Sequence, residues 1–258
     1  MAEIRKTARL DGKVAAITGA GMGMGRTHAL ILAERGAHVV AIDIDGAKAE
    51  KTAADIKAKG GAARAVALDI ADVASVAREF AATEKALGRI DILVNNAGIH
   101  NRRAIEEISE ADLDRMFAVH VKGAFFATKA VVPGMKARKA GKIINISSAW
   151  GMTGNHTDSH YCGAKAALLG LTKAWAKELA PWNIHVNAIA PGMVLTEMTK
   201  LNRSAAEIKE FCDKLIPLGR MGEPEEFSYA VGFLASSESD FITGQVLSPN
   251  GGEFIVGI

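Results

Sequence analysis

Three side chains that could carry acid–base chemistry lie close together in the sequence: Ser148, Tyr161 and Lys165. Ser148 follows the apolar run Lys142–Ile146, which predicts a buried strand, and Ala164–Leu179 carries apolar residues at helical spacing. Residues four apart share one face of a helix, so the Lys165 ammonium can approach the Tyr161 phenol. Ser148, at the carboxyl end of the strand, can face both. The spacing therefore predicts a hydroxyl, a phenol and an ammonium that converge on one point.

Such a cluster is suited to general acid–base catalysis at an alcohol or carbonyl centre. A free phenol titrates near ~10, and half-ionising it near neutral pH requires a shift of about 3 units, roughly 4 kcal/mol. Since a nearby cation lowers a phenol pKa, Lys165 is predicted to make Tyr161 a proton acceptor, with Ser148 hydrogen-bonded to the same substrate oxygen. The spacing Tyr-x-x-x-Lys also occurs on ordinary amphipathic helices, so the interpretation depends on the rest of the chain.

The amino-terminal part of the chain is typical of a dinucleotide-binding fold. The apolar strand Lys13–Thr18 leads directly into the glycine-rich turn Gly19–Gly25 and a helical run, Arg26–Arg35. Glycines let backbone approach a pyrophosphate, whose charge the helix N-terminus favours. The next strand, Ala37–Ile42, ends at Asp43, about twenty residues past the glycines, where such folds place an acid for the adenosine ribose.

Asp43 also bears on the choice of cofactor. Its carboxylate would repel the 2′-phosphate of NADP, and no Arg or Lys directly follows it or lies among the glycines. We therefore expect NAD. A solvated aspartate at the end of a strand is the alternative interpretation.

Strand and helix patterns alternate along the remaining chain. The expected helices are Ala47–Lys59, Val73–Leu87, a long region Glu110–Lys136 interrupted near Pro133, and Pro224–Ala235; the expected strands are Ala63–Leu68, Ile90–Val94, Ile184–Ala190 and Gln245–Leu247. Repeated βα units predict a parallel sheet with helices on both faces, and Asn95–Gly98 ends one strand at the crevice where ligands bind. The chain is thus predicted to be one α/β domain, a doubly wound Rossmann fold spanning residues 1–258.

Two segments are expected to lie outside this pattern. Residues 1–10 form an N-terminal extension, and Leu195–Leu218 is polar, partly helical and has no place in the sheet. We interpret residues from about 193 to 218 as a lid over the substrate. The apolar end Phe254–Ile258 is expected to be buried at a subunit contact.

Composition narrows the functional classes. The chain has 258 residues, 49% of them hydrophobic and 23% charged, and a formal net charge of +2. The Lys and Arg residues are scattered, which argues against nucleic-acid binding. Cys162 and Cys212 have no metal-site spacing and are expected to be free thiols, so we expect no metal. The absence of an apolar leader or a membrane-length stretch predicts a cytoplasmic protein without membrane contact.

Taken together, these motifs resemble the short-chain dehydrogenase/reductase family in its form of about 250 residues, from Leu10 to Gly252. The resemblance rests on the following motifs: Thr18-Gly19-x-x-x-Gly23-x-Gly25, Asp69, Asn95-Asn96-Ala97-Gly98, the Ser148/Tyr161/Lys165 set, and Pro191-Gly192 with Thr196. It implies a seven-stranded parallel sheet, usually a homotetramer, and NAD(P) at the carboxyl ends of the strands. The implied reaction is hydride transfer between the nicotinamide and a secondary alcohol or ketone.

The resemblance also implies residue roles. Tyr161 would be the acid/base, Ser148 would position the substrate oxygen, and Lys165 would lower the tyrosine pKa and contact the nicotinamide ribose. Asp69 would contact adenine and Thr196 the carboxamide side. The expected cofactor contacts are Gly19, Met22, Gly23, Met24, Gly25, Asp43, Ile44, Asp69, Ile70, Asn96, Ala97, Gly98, Tyr161, Lys165, Pro191, Gly192, Val194 and Thr196.

One position departs from the family pattern. Where the family has Val-Asn-x-x-Gly, with an asparagine that helps to hold a water of the proton relay, this chain reads Val119-His120-Val121-Lys122-Gly123. Imidazole can itself relay protons near neutral pH, so His120 is a candidate catalytic residue. It is equally consistent with a packed helix histidine.

The substrate is the least determined part of the interpretation. Expected substrate contacts are His100, Ser148, Trp150, Asn155, Tyr161 and Met193. Their mixture of apolar and hydrogen-bonding side chains predicts a small, cyclic or polyhydroxylated alcohol. The leading hypothesis is an NAD-dependent secondary-alcohol dehydrogenase or ketone reductase. A 3-oxoacyl-thioester reductase and a non-catalytic NAD-binding sensor are the alternatives, and the direction of the reaction is open.

Overall fold

A seven-stranded parallel sheet forms the centre of the molecule. The computed structural model describes residues 8–196 and 204–256. The strands are β1 (Val14–Thr18), β2 (His38–Asp43), β3 (Ala63–Ala67), β4 (Ile92–Asn95), β5 (Gly141–Ile146), β6 (Ile184–Ile189) and β7 (Val246–Leu247). Their order in the sheet is β3-β2-β1-β4-β5-β6-β7, and every pairing is parallel. The predicted doubly wound Rossmann architecture is confirmed.

Helices cover both faces of the sheet. In the described residues they are α1 (Gly23–Glu34), α2 (Gly46–Ala58), α3 (Val73–Leu87), α4 (Glu110–Phe117), α5 (Ala124–Arg138), α6 (Trp150–Thr153), α7 (Ser159–Leu179), α8 (Ala205–Leu215) and α9 (Pro224–Ala235). Short 3₁₀ turns occupy Ile105–Glu107, Ala180–Trp182 and Ser237–Ser239. None of the helices in this part of the chain is long and apolar enough to cross a bilayer.

The two faces have separate cores because side chains alternate along each strand. Ala16 of β1 points to a core that holds Phe80 of α3 and Trp175 of α7. Its neighbour Ile17 points to the opposite core, with Leu32 of α1. A strand that is buried on both faces has a continuous apolar sequence. This pattern therefore predicted the strands.

The long predicted helix is interrupted at a different place from the one expected. Pro133 lies inside α5 without ending it, and the irregularity is instead a π-helical segment at Ala118–Gly123 between α4 and α5. Here the backbone approaches Ile70 so closely that a Cβ on Gly123 would lie 2.9 Å from the Ile70 side chain. A π turn of this kind shifts the helix register locally and is frequent at functional sites.

The segment interpreted as a lid contains the expected helix. α8 buries Cys212, which forms a small apolar cluster with Ile216 and Met221, and Met193 packs against it. Val194 forms an isolated parallel bridge with Gly222. Residues 197–203 of the segment, like residues 1–7 of the N-terminal extension, lie outside the described residues.

Candidate active site

A cavity lies at the carboxyl ends of the central strands, where the strand order reverses at β1 and β4. Ligands of open parallel sheets bind at this position. The cavity has a volume of about 140 Å³ and is lined by Met24, Ser147, Ser148, Trp150, Tyr161, Pro191, Gly192, Met193 and Val194. Eight of these nine residues are among the site residues expected from sequence, and Ser147 is the exception.

Ser148, Tyr161 and Lys165 come together as the sequence predicted. Tyr161 lies in the first turn of α7, and the Lys165 Nζ atom lies 5.6 Å from the centre of its ring. The Lys165 amine donates a hydrogen bond to the Ile146 carbonyl oxygen at 2.7 Å, and the Ser147 hydroxyl donates to the Lys165 carbonyl oxygen at 2.8 Å. These two bonds fasten α7 to the end of β5, so the positions of the three side chains are set by backbone contacts.

The electrostatics of this cluster differ from the sequence-based expectation. Burial raises the pKa of Tyr161 to about 12, although a hydrogen bond with the Ser148 side chain acts in the opposite direction. Burial also lowers the pKa of Lys165 to about 7. In the protein chain by itself, loss of hydration therefore disfavours both charged forms, and a lowering of the phenol pKa by Lys165 beside bound nicotinamide stays a prediction.

His120 lies in the π-helical segment, 2% exposed, with its ring edge-on to Tyr161 at 5.5 Å. Its Nε2 atom is 2.8 Å from the Ile99 carbonyl oxygen, and its Nδ1 atom is buried without a partner in the described residues. Burial lowers the pKa of His120 to about 3, so the ring is neutral at physiological pH. A catalytic role for His120 stays a prediction.

The glycine turn forms a cradle at the N-terminus of α1. Met22 is the N-cap residue, no side chain caps the helix, and its first turn has no acidic residue. A Cβ on Gly25 would collide with the Gly19 carbonyl oxygen, and one on Gly21 would lie 2.8 Å from the Asp43 carboxylate. Uncapped N–H groups and the helix dipole favour an anion here, so these residues fit the pyrophosphate of a dinucleotide.

Asn96 stabilises this cradle through hydrogen bonds. Its amide nitrogen donates to the carbonyl oxygens of Thr18 at 2.9 Å and Gly19 at 3.1 Å. The Thr18 hydroxyl oxygen accepts from the backbone nitrogens of Asn96 and Ala97, each at 3.0 Å. The motif after β4 therefore holds the glycine turn in shape, a function of Thr18 that the sequence did not reveal.

Asp43 ends β2 beside the cradle. One carboxylate oxygen accepts from the Gly21 nitrogen at 2.8 Å, and the other accepts from the Asp45 nitrogen at 3.0 Å. Helix α2 also brings a cation here, since Lys48 pairs with Asp45 at 2.9 Å and its pKa is raised by Asp45 and further by Asp43. Lys48 lies neither directly after Asp43 nor among the glycines, so the expectation of NAD did not take this cation into account.

The other expected cofactor contacts are distributed around the same crevice. Asp69 accepts from the Ala71 nitrogen at 2.9 Å and pairs with Arg115 at 3.2 Å, while Ile70 is buried against Gly123. The side chains of Met22 and Ile44 are 53% and 63% exposed. Thr196 is the last described residue before residues 197–203, Gly23 is the first residue of α1, and Gly98 follows β4.

On the substrate side, His100 and Trp150 stand next to Tyr161. The ring centres of His100 and Tyr161 are 4.9 Å apart, and those of Trp150 and Tyr161 are 6.2 Å apart. The His100 Nε2 atom lies 2.7 Å from a carboxylate oxygen of Asp158, and Asn155 donates to the other oxygen at 2.7 Å. Sequence reasoning missed Asp158, whose position just before a helix is typical of an ordinary N-cap.

The described part of the chain contains no group of three or more His, Cys, Asp or Glu side chains placed to hold a metal ion. Cys162 and Cys212 are free thiols, as predicted.

A doubly wound parallel sheet with a glycine cradle at its switch point and a Ser/Tyr/Lys cluster beside it defines a nucleotide-binding oxidoreductase. Residues 19–253 match the family model described as enoyl-(acyl carrier protein) reductase. The chain belongs to the short-chain dehydrogenase/reductase family and is an oxidoreductase that uses a nicotinamide cofactor.

Its relatives act on different substrates. The 3-oxoacyl-[acyl-carrier-protein] reductase FabG of Thermotoga maritima is 40% identical over 95% of this chain and 98% of its own length. A gluconate 5-dehydrogenase from Burkholderia cenocepacia, solved with NADP and tartrate, has 39% identity and a TM-score of 0.92 over 97% of this chain and 98% of its own. A 7α-hydroxysteroid dehydrogenase, solved with NADH and 7-oxo glycochenodeoxycholic acid, has 34% identity and a TM-score of 0.91 over 96% of both chains.

Proposed function

We propose that this protein is an NAD-dependent dehydrogenase of a small secondary alcohol, or a reductase of the corresponding ketone. The observation that carries the proposal is that Ser148 and Tyr161 line a cavity of about 140 Å³, with the Lys165 Nζ atom 5.6 Å from the centre of the Tyr161 ring. A phenol next to a serine hydroxyl can exchange a proton with an alcohol oxygen while the same oxygen is held in place.

Tyr161 is the proposed acid/base and Ser148 the residue that holds the reacting oxygen. In ketone reduction, the protonated phenol of Tyr161 donates its proton to the carbonyl oxygen, which the Ser148 hydroxyl also contacts. In alcohol oxidation, the phenolate takes the hydroxyl proton. The bound nicotinamide would supply or accept the hydride. In its oxidised form it would also carry a positive charge, which favours the phenolate.

Lys165 is proposed to orient the cofactor ribose and to support the phenolate. Its amine has one donor engaged by the Ile146 carbonyl oxygen, and an ammonium has two more. His120 is proposed to assist as a neutral ring, since its ring lies edge-on to that of Tyr161 at 5.5 Å and its Nδ1 atom has no partner in the described residues. A neutral ring passes a proton without a net charge when one nitrogen takes up a proton as the other releases one.

Asp43 supports the choice of NAD over NADP. Its carboxylate carries a negative charge beside the cradle, and each oxygen has a free lone pair after accepting one backbone hydrogen bond. Two ribose hydroxyls could donate to such a group, whereas a 2′-phosphate would be repelled. Lys48 offsets part of that repulsion, but its ammonium is paired with Asp45 at 2.9 Å.

The cavity favours a small substrate. Trp150 and Met193 line the cavity with apolar side chains. Residues 193–196 and 204–218 belong to the proposed lid. Asn155 is directed to Asp158, so its contribution to substrate binding is proposed to be indirect.

The substitution Tyr161→Phe tests the proposal. Turnover of alcohols with NAD should fall by about 10²–10⁴-fold, the usual contribution of a general acid/base, while NAD binding measured by calorimetry is retained. Tyr229→Phe is the matched control, because Tyr229 is 54% exposed on α9. Full turnover in the Tyr161 variant would exclude the mechanism.

A second candidate is a 3-oxoacyl-thioester reductase, favoured by the 40% identity to FabG proteins. Acetoacetyl-CoA with NADPH separates the two, since this candidate predicts efficient reduction of the thioester and poor oxidation of simple alcohols with NAD. A third possibility, an NAD-binding sensor, would show NAD binding without turnover of either substrate class.

We further propose a homotetramer in the cytoplasm. Large apolar side chains are exposed on the single chain, including Phe117, Phe125, Trp182 and Ile255. Burial of these side chains between subunits would remove apolar surface from water. Sedimentation velocity should give a mass near four chains of 27.1 kDa, and a concentration-independent monomer would contradict the proposal.

A further inference from the structure

A buried carboxylate that belongs to no assigned role lies behind the substrate side of Tyr161. Asp158 is 0% exposed and stands at the N-cap position of α7, but its side chain makes no capping hydrogen bond to the helix. An aspartate at this position ordinarily accepts from the first-turn N–H groups, which stabilises the helix by about 1 kcal/mol. Its carboxylate instead faces His100, and so the helix forgoes its cap in favour of that contact.

The partners of Asp158 are divided between its two oxygens. Oδ2 accepts from the Asn155 amide at 2.7 Å and lies 3.8 Å from the Arg102 Nε atom. Oδ1 lies 2.7 Å from the His100 Nε2 atom. An ionised carboxylate only accepts hydrogen bonds, so Nε2 must carry the proton. In the neutral imidazole, Nδ1 is then an acceptor.

The Nδ1 atom of His100 is available to bind a ligand. Within residues 8–196 and 204–256, the His100 Nδ1 atom forms no hydrogen bond, and the His100 side chain is 44% exposed. The ring lies edge-on to Tyr161, with centres 4.9 Å apart, and 6.0 Å from the Trp150 ring. Two neighbouring oxygens of one small molecule, each about 3 Å from its partner, can span such a separation.

We propose that His100, held in one tautomer by Asp158, is a specificity-determining residue that accepts a hydrogen bond from a second hydroxyl of the substrate. The substrate class is then a vicinal diol or polyol, or the corresponding hydroxyketone. This inference rests on the proposed function, because it assumes that Tyr161 binds the reacting oxygen. Asp158 is a positioning residue that acts through His100.

Three alcohols that differ in one group test the inference: cyclohexanol, 1,2-cyclohexanediol and 2-methoxycyclohexanol. Oxidation with NAD is followed at one fixed alkaline pH, because the reaction releases a proton. The wild-type protein should prefer the diol to both other alcohols by about 10–100-fold in kcat/KM, since only the diol offers a donor to Nδ1. His100→Leu should reduce both ratios to about 1.

Asp158→Asn gives a prediction that a merely structural role does not make. Asn155 donates to Oδ2 and the Arg102 guanidinium lies 3.8 Å from it, so the new amide should place its oxygen there and its NH₂ group opposite His100. His100 Nε2 then becomes an acceptor and Nδ1 a donor. The variant should now oxidise 2-methoxycyclohexanol, whose ether oxygen only accepts, about as well as the diol.

Nitrogen-15 spectra of histidine-labelled protein observe the tautomer without turnover. The His100 signals, assigned by comparison with His100→Leu, should show a protonated Nε2 in the wild-type protein and a protonated Nδ1 in Asp158→Asn. Equal kcat/KM for the three alcohols, or the same tautomer in both proteins, would overturn this inference and leave the proposed function intact. Failure of the wild-type protein to oxidise any alcohol, including a wider panel, would overturn both.

Discussion

The Lys165 amine should make the protein more stable as pH rises from about 6 to about 9.5. Burial lowers its pKa from 10.5 to about 7. Between these values the unfolded chain holds a proton on this amine that the folded chain lacks, so the free energy of unfolding increases with pH. Below pH 7 the folded chain must keep a charged amine in a buried site, which is where the destabilisation is greatest.

The size of the effect follows from the two pKa values. Between pH 6 and pH 9.5 the free energy of unfolding should rise by about 3 kcal/mol from this group alone. Tyr161 acts with the opposite sign, because its folded pKa of about 12 lies above its ordinary value of 10.0, but its effect begins only above pH ~10. The titration of Tyr161 therefore does not change the pH dependence of stability between pH ~6 and pH ~9.5.

Urea unfolding of the wild-type protein and of Lys165→Met, at one protein concentration, measures this contribution. Methionine keeps an apolar stem and removes the titrating amine. The difference in free energy of unfolding, wild type minus variant, should increase by about 3 kcal/mol across the window, while the contributions of the histidines cancel. Lys173→Met, an exposed position on the same helix, is the control and should give a flat difference.

A flat difference for Lys165→Met would refute the reasoning. It would mean that the amine keeps its ordinary pKa in the folded protein, so that hydrogen bonding to the Ile146 carbonyl oxygen and neighbouring dipoles outweigh the loss of hydration. The same argument would then fail for the Tyr161 phenol, which shares the buried environment.

Three further predictions concern the cofactor site and the proton relay. Asp43→Ala should weaken NAD binding by about 10–100-fold, because charged hydrogen bonds to the ribose are lost. NADP binding should weaken less, and the ratio of the KM values for NAD and NADP measures the difference. Gly25→Ala should destabilise the protein by about 1–3 kcal/mol through overlap with the Gly19 carbonyl oxygen, whereas Gly170→Ala, with no heavy atom within 4 Å of the new Cβ, should stabilise it by about 0.5–1 kcal/mol; thermal unfolding compares them. His120→Asn should change the pH dependence of kcat/KM, and an unchanged profile would argue against a relay role.

Much of the fold could be predicted because its signals are local. Periodicity identified the alternation of strands and helices, and the glycines between β1 and α1 identified the turn; Gly19 and Gly23 have φ values of +66° and +54°, which other residues rarely adopt. The interruption of the long helix was misplaced, because the π-helical segment depends on the approach of Gly123 to Ile70, a contact between distant parts of the chain. The position of Pro133 in the sequence does not predict that contact.

The sequence by itself determined which groups of the site lie together: Tyr161 and Lys165 are one helical turn apart, and a strand end carries Ser148 to them. Only the tertiary structure decided the chemical state of those groups, the presence of Lys48 near Asp43, and the pairing of His100 with Asp158. Helical spacing is a property of consecutive residues. Hydration and charge, by contrast, are set by every segment that surrounds a group, and those segments come from all along the chain.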